Sequence, residues 1–252
     1  MFFNLLRMKT VLLHGFCEDK RVWNEMLGYS ANASDIYCLN LPGFGGAPET
    51  HALSMDEMAA YIKEKLLELG IEKCLMIGHS MGGYVTLAFA KKYPDVLCGF
   101  GLFHSSALPD TEEKKGNRLK TIDFIERYGA ENYSRALIPG LFNASTEIGV
   151  MFSSFEIAKA CTTSGLVKAT QAMMTRDDNT SVLKNSRVPV LFVIGRKDAL
   201  IPVEVTLNQV EMCDISQMEI LEESGHMGML EEPEKSANII DSFIAFSRQM
   251  IQ

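Results

Sequence analysis

The sequence lacks the features that mark several classes of protein. No apolar run approaches the roughly 18 residues that a membrane-spanning helix requires. Six cysteines are present, but they form no C-x-x-C pair and no histidine-paired spacing typical of zinc, so we expect reduced thiols in a reducing compartment. Basic residues are outnumbered, 24 Lys and Arg against 32 Asp and Glu. The resulting net charge of −8 argues against nucleic acid or an anionic membrane as a partner.

Internal repeats and low-complexity segments are absent as well. The segment MFFNLLR at the start is too short for the apolar part of a secretory signal, and no small-residue cleavage site follows it. We therefore expect a cytoplasmic protein. The length of 252 residues fits one sizeable α/β domain with ample material for a core.

Short apolar runs alternate with helical patterns along most of the chain. The runs that predict buried strands are residues 10–13, 36–39, 74–77, 97–104, 189–194 and 218–221. Such an alternation predicts an α/β fold, with a mostly parallel sheet that is covered by helices on both faces. Ligands of these sheets bind beyond the carboxyl ends of the strands, so polar residues that follow a strand are candidates for a site.

One long segment departs from this alternation. Between residues 108 and 187 strong strand patterns are missing, and apolar residues recur at helical spacing. We interpret residues 108–187 as an all-helical insertion. The core domain is then formed by residues 1–107 together with residues 188–252.

The chain is organised around residues 74–84, CLMIGHSMGGY. Four apolar residues lead into Gly78, and a helical pattern resumes shortly afterwards, which predicts a strand, a tight turn and a helix with Ser80 at the apex. Gly78 and Gly82 supply the small residues that so close an approach of strand and helix needs. The N–H of Met81 is expected at the start of the helix, where it can face a developing oxyanion.

A G-x-S-x-G pattern also arises by chance in about one chain in ten of this length, so Ser80 needs a base and an acid from elsewhere. Of the five histidines, His51 lies in a polar loop and is expected to face solvent. His79 is inside the turn itself and cannot easily reach the neighbouring hydroxyl. His14 and His104 each end a strand, and His104 is expected either to line the pocket or to be buried and hydrogen-bonded.

His226 is the best candidate for the base. It follows a strand and lies in the loop GHMG, residues 225–228, which is flexible enough to bring a ring over the serine. For the acid, Asp198 ends a strand, and its apolar flanks could bury its carboxylate against the imidazole. Glu222 and Glu223 remain alternatives, although they lie closer to the strand than to the loop tip.

The order of Ser80, Asp198 and His226, together with five motifs, resembles the α/β-hydrolase family over nearly the whole chain. The motifs are LLHGF (12–16), NLPGFG (40–45), GHSMGG (78–83), GRKD with IP after it (195–202) and GHMGMLEEPE (225–234). The resemblance implies an α/β-hydrolase fold, a serine triad and a helical lid in the place of the insertion. It also implies that the N–H of Phe16 is the second oxyanion donor. Many relatives carry Asp where this chain has Asn40, a position that is usually structural.

The expected reaction is a two-step acyl transfer on a small-molecule acyl substrate, a carboxylic ester or thioester of a small to medium acyl group. Neither a cofactor nor a metal ion is expected. The serine at the elbow argues against the haloalkane dehalogenases and epoxide hydrolases of the superfamily, which use an aspartate there. Further candidates for the substrate pocket are His14, His79, His104 and Met227.

Other functions of the superfamily stay open. A C–C bond hydrolase or the menaquinone-pathway lyase would use the same triad, although relatives of the lyase usually have Arg where this chain has Tyr84. A ligand sensor with slow turnover and a cofactor-free bromoperoxidase are also possible. Within the insertion, Phe and Met residues could form an acyl pocket or simply a core. Lys114, Lys115 and Arg118 could meet an acidic substrate or form a solvated helix face.

Overall fold

A computed structural model describes residues 8–49 and 54–250. Within these ranges six strands form one sheet in the order β2-β1-β3-β4-β5-β6, and every neighbouring pair is parallel. The strands are β1 (Lys9–Leu13), β2 (Ile36–Leu39), β3 (Cys74–His79), β4 (Leu97–Phe103), β5 (Val190–Gly195) and β6 (Ser216–Leu221). They coincide with the predicted strands to within two residues at each end, and the predicted fold class is confirmed.

The described residues also form ten α-helices. They are α1 (Asn24–Leu27), α2 (Met55–Glu68), α3 (Met81–Lys92), α4 (Glu112–Leu137), α5 (Ile148–Ala158), α6 (Thr163–Met174), α7 (Thr180–Lys184), α8 (Val203–Val210), α9 (Gly228–Glu231) and α10 (Pro233–Met250). None of the helices in these ranges has the length and apolarity to cross a bilayer. His51 lies outside the described residues.

Successive side chains of β1 enter different halves of the core. Val11 and Leu13 pack with Met58 of α2, whereas Leu12 packs with Phe243 of α10, and all these side chains are buried. This is the period of two that a strand imposes when both faces of its sheet are covered. The continuous apolar runs therefore give strands with helices on both faces, and a ligand is expected at the carboxyl ends of the strands.

All the regular secondary structure of residues 108–187 is helical. Helices α4 to α7 lie there, between β4 and β5. Thr111 begins α4, since its side chain accepts the N–H of Lys114 at 3.2 Å. The helix kinks at Gly129, whose φ of 82° and ψ of 165° are not helical. The helix α4 therefore consists of two arms that meet at this glycine. The division into a core and an inserted domain remains a prediction.

Candidate active site

The central turn lies between β3 and α3, with Ser80 at its apex. Ser80 has φ 49° and ψ −114°, a region that non-glycine residues rarely occupy. A Cβ added at Gly78 would lie 2.1 Å from the carbonyl oxygen of Gly82, and one added at Gly82 would lie 2.6 Å from that of Leu13. Both positions therefore require glycine, and the predicted strand, turn and helix are present.

His226 and Asp198 come together from the loops after β6 and β5. His226 Nδ1 donates to Asp198 Oδ2 at 2.7 Å, and both side chains are almost fully buried. Asp198 Oδ1 accepts the N–H groups of Leu200 at 2.8 Å and Ile201 at 3.0 Å. Burial opposes the ionisation of Asp198, but the imidazoles of His226 and His104 outweigh burial and hold the pKa of the carboxyl well below its usual range.

The two glutamates that the sequence left open as the acid lie elsewhere. Glu222 pairs with Arg196, and Glu223 pairs with Lys197, in both cases between exposed side chains. Neither carboxylate is therefore available to the His226 ring. The structure brings Asp198 alone of the three candidate acids to the histidine.

Ser80 and His226 line the same cavity, which has a volume of about 430 Å³. The two side chains, both in the described part of the chain, form no hydrogen bond with each other here. The backbone of His226 is held on two sides. Its N–H donates to Leu141 O at 2.7 Å, and its carbonyl oxygen accepts from His79 Nε2 at 2.8 Å. The position of the base therefore depends on the residues that hold this loop.

The two predicted oxyanion donors belong to the loop after β1 and to the start of α3. Phe16 lines the cavity together with Ser80. Met81 is the first residue of α3, and an N–H in the first turn has no acceptor within its own helix. The turn before Phe16 is fixed by the N–H of Gly15, which donates to Glu18 Oε2 at 2.7 Å.

His14 links this turn to the loop after β2. Its Nε2 accepts the N–H of Leu41 at 3.0 Å, so Nδ1 carries the single proton and donates it to Gly15 O at 2.8 Å. Burial lowers the pKa of His14, in agreement with a neutral ring. The expectation that His14 lines the substrate pocket is corrected, because the ring is fully buried and its two nitrogens are occupied by the backbone.

His79 is also absent from the cavity wall, contrary to expectation. The ring is fully buried and lies between Glu18 and His226, with Nδ1 at 3.0 Å from Glu18 Oε2 and Nε2 at 2.8 Å from His226 O. Burial by itself would lower the pKa of His79, but the Glu18 carboxylate raises it above the usual value. Burial would raise the pKa of Glu18, and the His79 charge lowers it instead. The two side chains therefore form a buried ion pair.

His104 and Met227 were also predicted to line the substrate pocket, and they too lie outside the cavity wall. His104 Nδ1 is 3.4 Å from Asp198 Oδ2, and burial lowers the pKa of His104 to about 4, so the ring is neutral near pH 7. Met227 is fully buried and packs in the core with Leu221. The two side chains pack behind the loops of Asp198 and His226 rather than facing a ligand.

The ligand atoms of His104, Asp198 and His226 all lie within 4.8 Å of one another, the one group in the described residues with the composition of a metal site. Asp198 already accepts from His226 Nδ1 at 2.7 Å, and its other oxygen is held by two backbone N–H groups. His226 Nδ1 and both Asp198 oxygens therefore already take part in hydrogen bonds, and they are not free to bind a metal. We interpret Asp198 and His226 as a hydrogen-bonded pair. His104 lies beside this pair, and neither of its ring nitrogens has a hydrogen-bond partner among the described residues.

A cluster of which the sequence analysis named only Arg118 lies along another part of the cavity wall. Asp110 is buried and accepts from Arg118 Nε at 3.1 Å and from Arg176 Nη1 at 2.7 Å. The Arg176 guanidinium also lies 4.1 Å from the centre of the Tyr84 ring. These residues are far apart in the chain, so only the packing of the helical segment on the core brings them together. Glu18 was missed for a similar reason, since nothing marks a turn residue as the partner of a histidine.

Comparison with known sequences identifies the family. The sequence model described as the alpha/beta hydrolase family matches residues 10–239, which is most of the chain. The chain belongs to the alpha/beta hydrolase family. The family resemblance that the sequence motifs carry is therefore confirmed.

Curated members of the alpha/beta hydrolase family with similar sequences include esterases and lipases. The chain is 25% identical to the monoacylglycerol lipase ABHD6 of Bos taurus, over 93% of this chain and 74% of that protein. It is 24% identical to a pimeloyl-[acyl-carrier protein] methyl ester esterase of Vibrio vulnificus, with 92% of each chain covered. Among solved structures, a thermophilic esterase from Thermogutta terrifontis, with malate bound, has a TM-score of 0.89 and 27% identity, covering 96% of this chain and 90% of that one.

Proposed function

We propose that the protein is a serine hydrolase that cleaves a carboxylic ester or thioester of a small to medium acyl group through an acyl-enzyme intermediate. The observation that carries the proposal is the buried hydrogen bond between Asp198 and His226, beside a cavity that Ser80 also lines. Family membership and the esterase and lipase names of the relatives support it.

In the proposed first step the Ser80 oxygen attacks the substrate carbonyl, and its proton passes to His226 Nε2. That nitrogen is free to accept, because the hydrogen bond to the Asp198 carboxylate fixes the proton of the neutral ring on Nδ1. Asp198 stays ionised because its pKa is depressed, so it stabilises the imidazolium that forms. The hydroxyl and the imidazole must form a hydrogen bond for this step to occur.

The negative charge that develops on the carbonyl oxygen is received by the N–H groups of Phe16 and Met81. Each such donor lowers the barrier by about 3–4 kcal/mol. When the tetrahedral intermediate collapses, the bond to the alcohol or thiol breaks, and the leaving group takes the proton from His226. Water then gives a proton to His226 and attacks the acyl carbonyl. When this second tetrahedral intermediate collapses, the Ser80 oxygen takes the proton from His226 and the carboxylic acid leaves.

We assign residues 108–187 the role of a lid over this site. Its support is that α4 and α6 contribute part of the cavity wall, including Tyr133 and Met173. The Phe and Met residues of the insertion could form either an acyl pocket or a core, and of these Met173 alone lines the cavity. Phe142 is buried in the core, and Phe152 is 63% exposed on the outer surface. A cytoplasmic location stays a prediction.

The test measures hydrolysis of p-nitrophenyl acetate and butyrate by the wild type and by Ser80→Ala, with Ser106→Ala as the matched control. Ser106 is a second serine that lines the cavity, and it should be dispensable as a nucleophile. Steady turnover that is lost only in Ser80→Ala supports the proposal. A single burst without turnover would identify a sensor instead, and a folded protein that is never acylated would overturn both functions. Panels of thioesters and vinylogous diketones separate thioester and C–C bond cleavage.

A further inference from the structure

The cavity beside Ser80 has a wall of mixed character. Much of the lining is apolar, from Leu108, Leu137, Leu141, Leu200, Ile201 and Val205. The same wall carries the cationic side chains of Lys114, Arg118 and Arg176, and the carboxylates of Glu18 and Asp110. A substrate that fills this cavity therefore meets an apolar surface and a group of charges as well as the serine.

The charges of this wall do not cancel. The carboxylate of Glu18 is compensated by the His79 ring, 3.0 Å away. Asp110 can neutralise only one of the two guanidinium groups that it contacts, Arg118 at 3.1 Å and Arg176 at 2.7 Å. With Lys114, which forms no ion pair with any described residue, the side chains of the wall carry three positive and two negative formal charges, an excess of one. Behind the wall, the negative charge of Asp198 offsets the positive charge of His79. This excess stands out in a protein whose net charge is −8.

Arg176 is not available to a ligand. Its side chain is only 5% exposed, and its guanidinium is already bonded to Asp110 and to the carbonyl oxygens of Leu108 and Met173. It also stacks on Tyr84. Arg176 thus serves to anchor Asp110, and Asp110 in turn orients a second guanidinium.

Arg118 and Lys114 are available. Arg118 donates to Asp110 through Nε, a contact that leaves its two Nη groups, and its side chain is 25% exposed. Burial opposes ionisation of Asp110, but the two arginines lower its pKa, so it remains a fixed anchor. Lys114 precedes Arg118 by four residues on α4, which places both on one helix face. Neighbouring Lys115 is outside the cavity wall and pairs with Glu112 at 2.8 Å.

We propose that the substrate is an ester that carries an anionic group, a carboxylate or a phosphate, at a distance from the scissile bond, and that Arg118 and Lys114 bind this group. A guanidinium whose two Nη groups are free can donate two parallel hydrogen bonds to oxygens of a carboxylate or a phosphate, and an ammonium adds a second charge. The apolar wall then contacts the part of the substrate between the ester and the anion. This inference rests on the proposed function, because the ester must reach Ser80.

The experiment compares kcat/KM for matched pairs of esters. On the acyl side, p-nitrophenyl half-esters of a series of dicarboxylic acids of increasing chain length are paired with the same esters capped by methyl, and ω-phosphono analogues test phosphate. On the alcohol side, 4-acetoxybenzoate is paired with its methyl ester. The wild type should prefer the anionic member by about tenfold or more on at least one side, and the preference should shrink in 1 M salt.

The variants Lys114→Met and Lys115→Met form a matched pair, since the same charge is removed from adjacent positions of one helix. Lys114→Met and Arg118→Gln should each lower the ratio of kcat/KM for the anionic ester to that for its neutral partner severalfold, whereas Lys115→Met, outside the cavity wall, should leave this ratio unchanged. Retained turnover of the neutral ester shows that the variant is folded. Lys114→Glu, at an exposed position, should lower the preference further.

Equal turnover of both members of every pair by the wild type, or an equal loss in Lys114→Met and Lys115→Met, would overturn the inference. The proposed function would still stand if the neutral esters were hydrolysed in a Ser80-dependent way. If no ester of either kind acylated Ser80 in the folded protein, the proposed function would fail and this inference with it. Hydrolysis of the neutral ester by Ser80 therefore distinguishes failure of this inference from failure of the proposed function.

Discussion

The ring of His79 donates a hydrogen bond to the backbone carbonyl of His226, at 2.8 Å from Nε2 to oxygen. Its other nitrogen faces Glu18 Oε2 at 3.0 Å. A carbonyl oxygen only accepts hydrogen bonds, and so does an ionised carboxylate, so both ring nitrogens must carry a proton. His79 is therefore an imidazolium inside the protein. Since Glu18 also accepts the N–H of Gly15, the pair joins the loop of the proposed base to the turn before Phe16.

Replacing Glu18 by Gln should destabilise the protein by about 3–5 kcal/mol, because the positive charge of His79 would be left buried without a partner or would have to be lost. Asp19→Asn is the control, because Asp19 is also a buried carboxylate but its partner Arg21 is 48% exposed, so the cation left behind stays solvated and the loss should be smaller. Urea unfolding at pH 6 compares the two. A loss in Glu18→Gln no larger than that in Asp19→Asn would contradict the buried ion pair.

The pair also predicts how stability depends on pH. The pKa of His79 is raised, so its contribution is complete below about pH 6.5, the unfolded value, and is lost as pH rises through the folded value. The pKa of Glu18 is lowered, so its contribution is present above about pH 4.3 and is lost as pH falls through the folded value. Unfolding free energies measured from pH 5 to 9 should decline on the alkaline side, and Glu18→Gln should flatten this decline. If the unfolding free energy of Glu18→Gln declined as much as that of the wild type, the decline would come from other titratable groups.

Gly78→Ala should prevent the elbow from forming, because the added Cβ would lie 2.1 Å from the backbone oxygen of Gly82. Because the contact is between a Cβ and a backbone oxygen, no flexible side chain can move to relieve the clash. Gly116→Ala is the matched change, since that glycine is inside α4 with nothing within 4 Å of the added carbon, and the variant should be more stable by about 0.4–1 kcal/mol. Thermal unfolding of both proteins checks the pair. A folded Gly78→Ala with normal activity would show that the turn is not as close as described.

Asp198→Asn should lower kcat by about 10⁴-fold, because an amide no longer fixes the proton of His226 on Nδ1 and cannot stabilise the imidazolium. The loss should appear in kcat more than in KM. Asp177→Asn is the control, as its carboxylate is 67% exposed and pairs with Lys91 at the surface. Steady-state kinetics with p-nitrophenyl butyrate measure both. A loss of less than about tenfold in Asp198→Asn would remove the acid from the proposed mechanism.

The sheet and its central turn could be predicted because their signals are local. Apolar runs mark the strands, and the two glycines around Ser80 mark the elbow. The candidates Asp198 and His226 also followed from local pattern, since each comes just after a strand. What a strand end does not reveal is the direction of the side chain. His14 and His104 lie at the expected rim but are turned into the protein, where they hold the backbone or pack against Asp198.

For a different reason, the sequence could not show which charged residues line the cavity. Lys114, Lys115 and Arg118 look alike as a basic run, and which of them faces the cavity depends on how α4 sits on the core. Arg176 joins the cluster from the end of α6, more than fifty residues further along the chain, through its bonds with Asp110. No local pattern carries that information, because it comes from tertiary packing.

Mapping the acyl group by mass spectrometry tests the central claim most directly. The folded protein is mixed with p-nitrophenyl butyrate, quenched in acid before deacylation is complete, and digested. The account predicts one butyryl adduct, on Ser80, that is absent from Ser80→Ala and present in Ser106→Ala. An adduct on any other residue, or turnover that persists undiminished in Ser80→Ala, would contradict it.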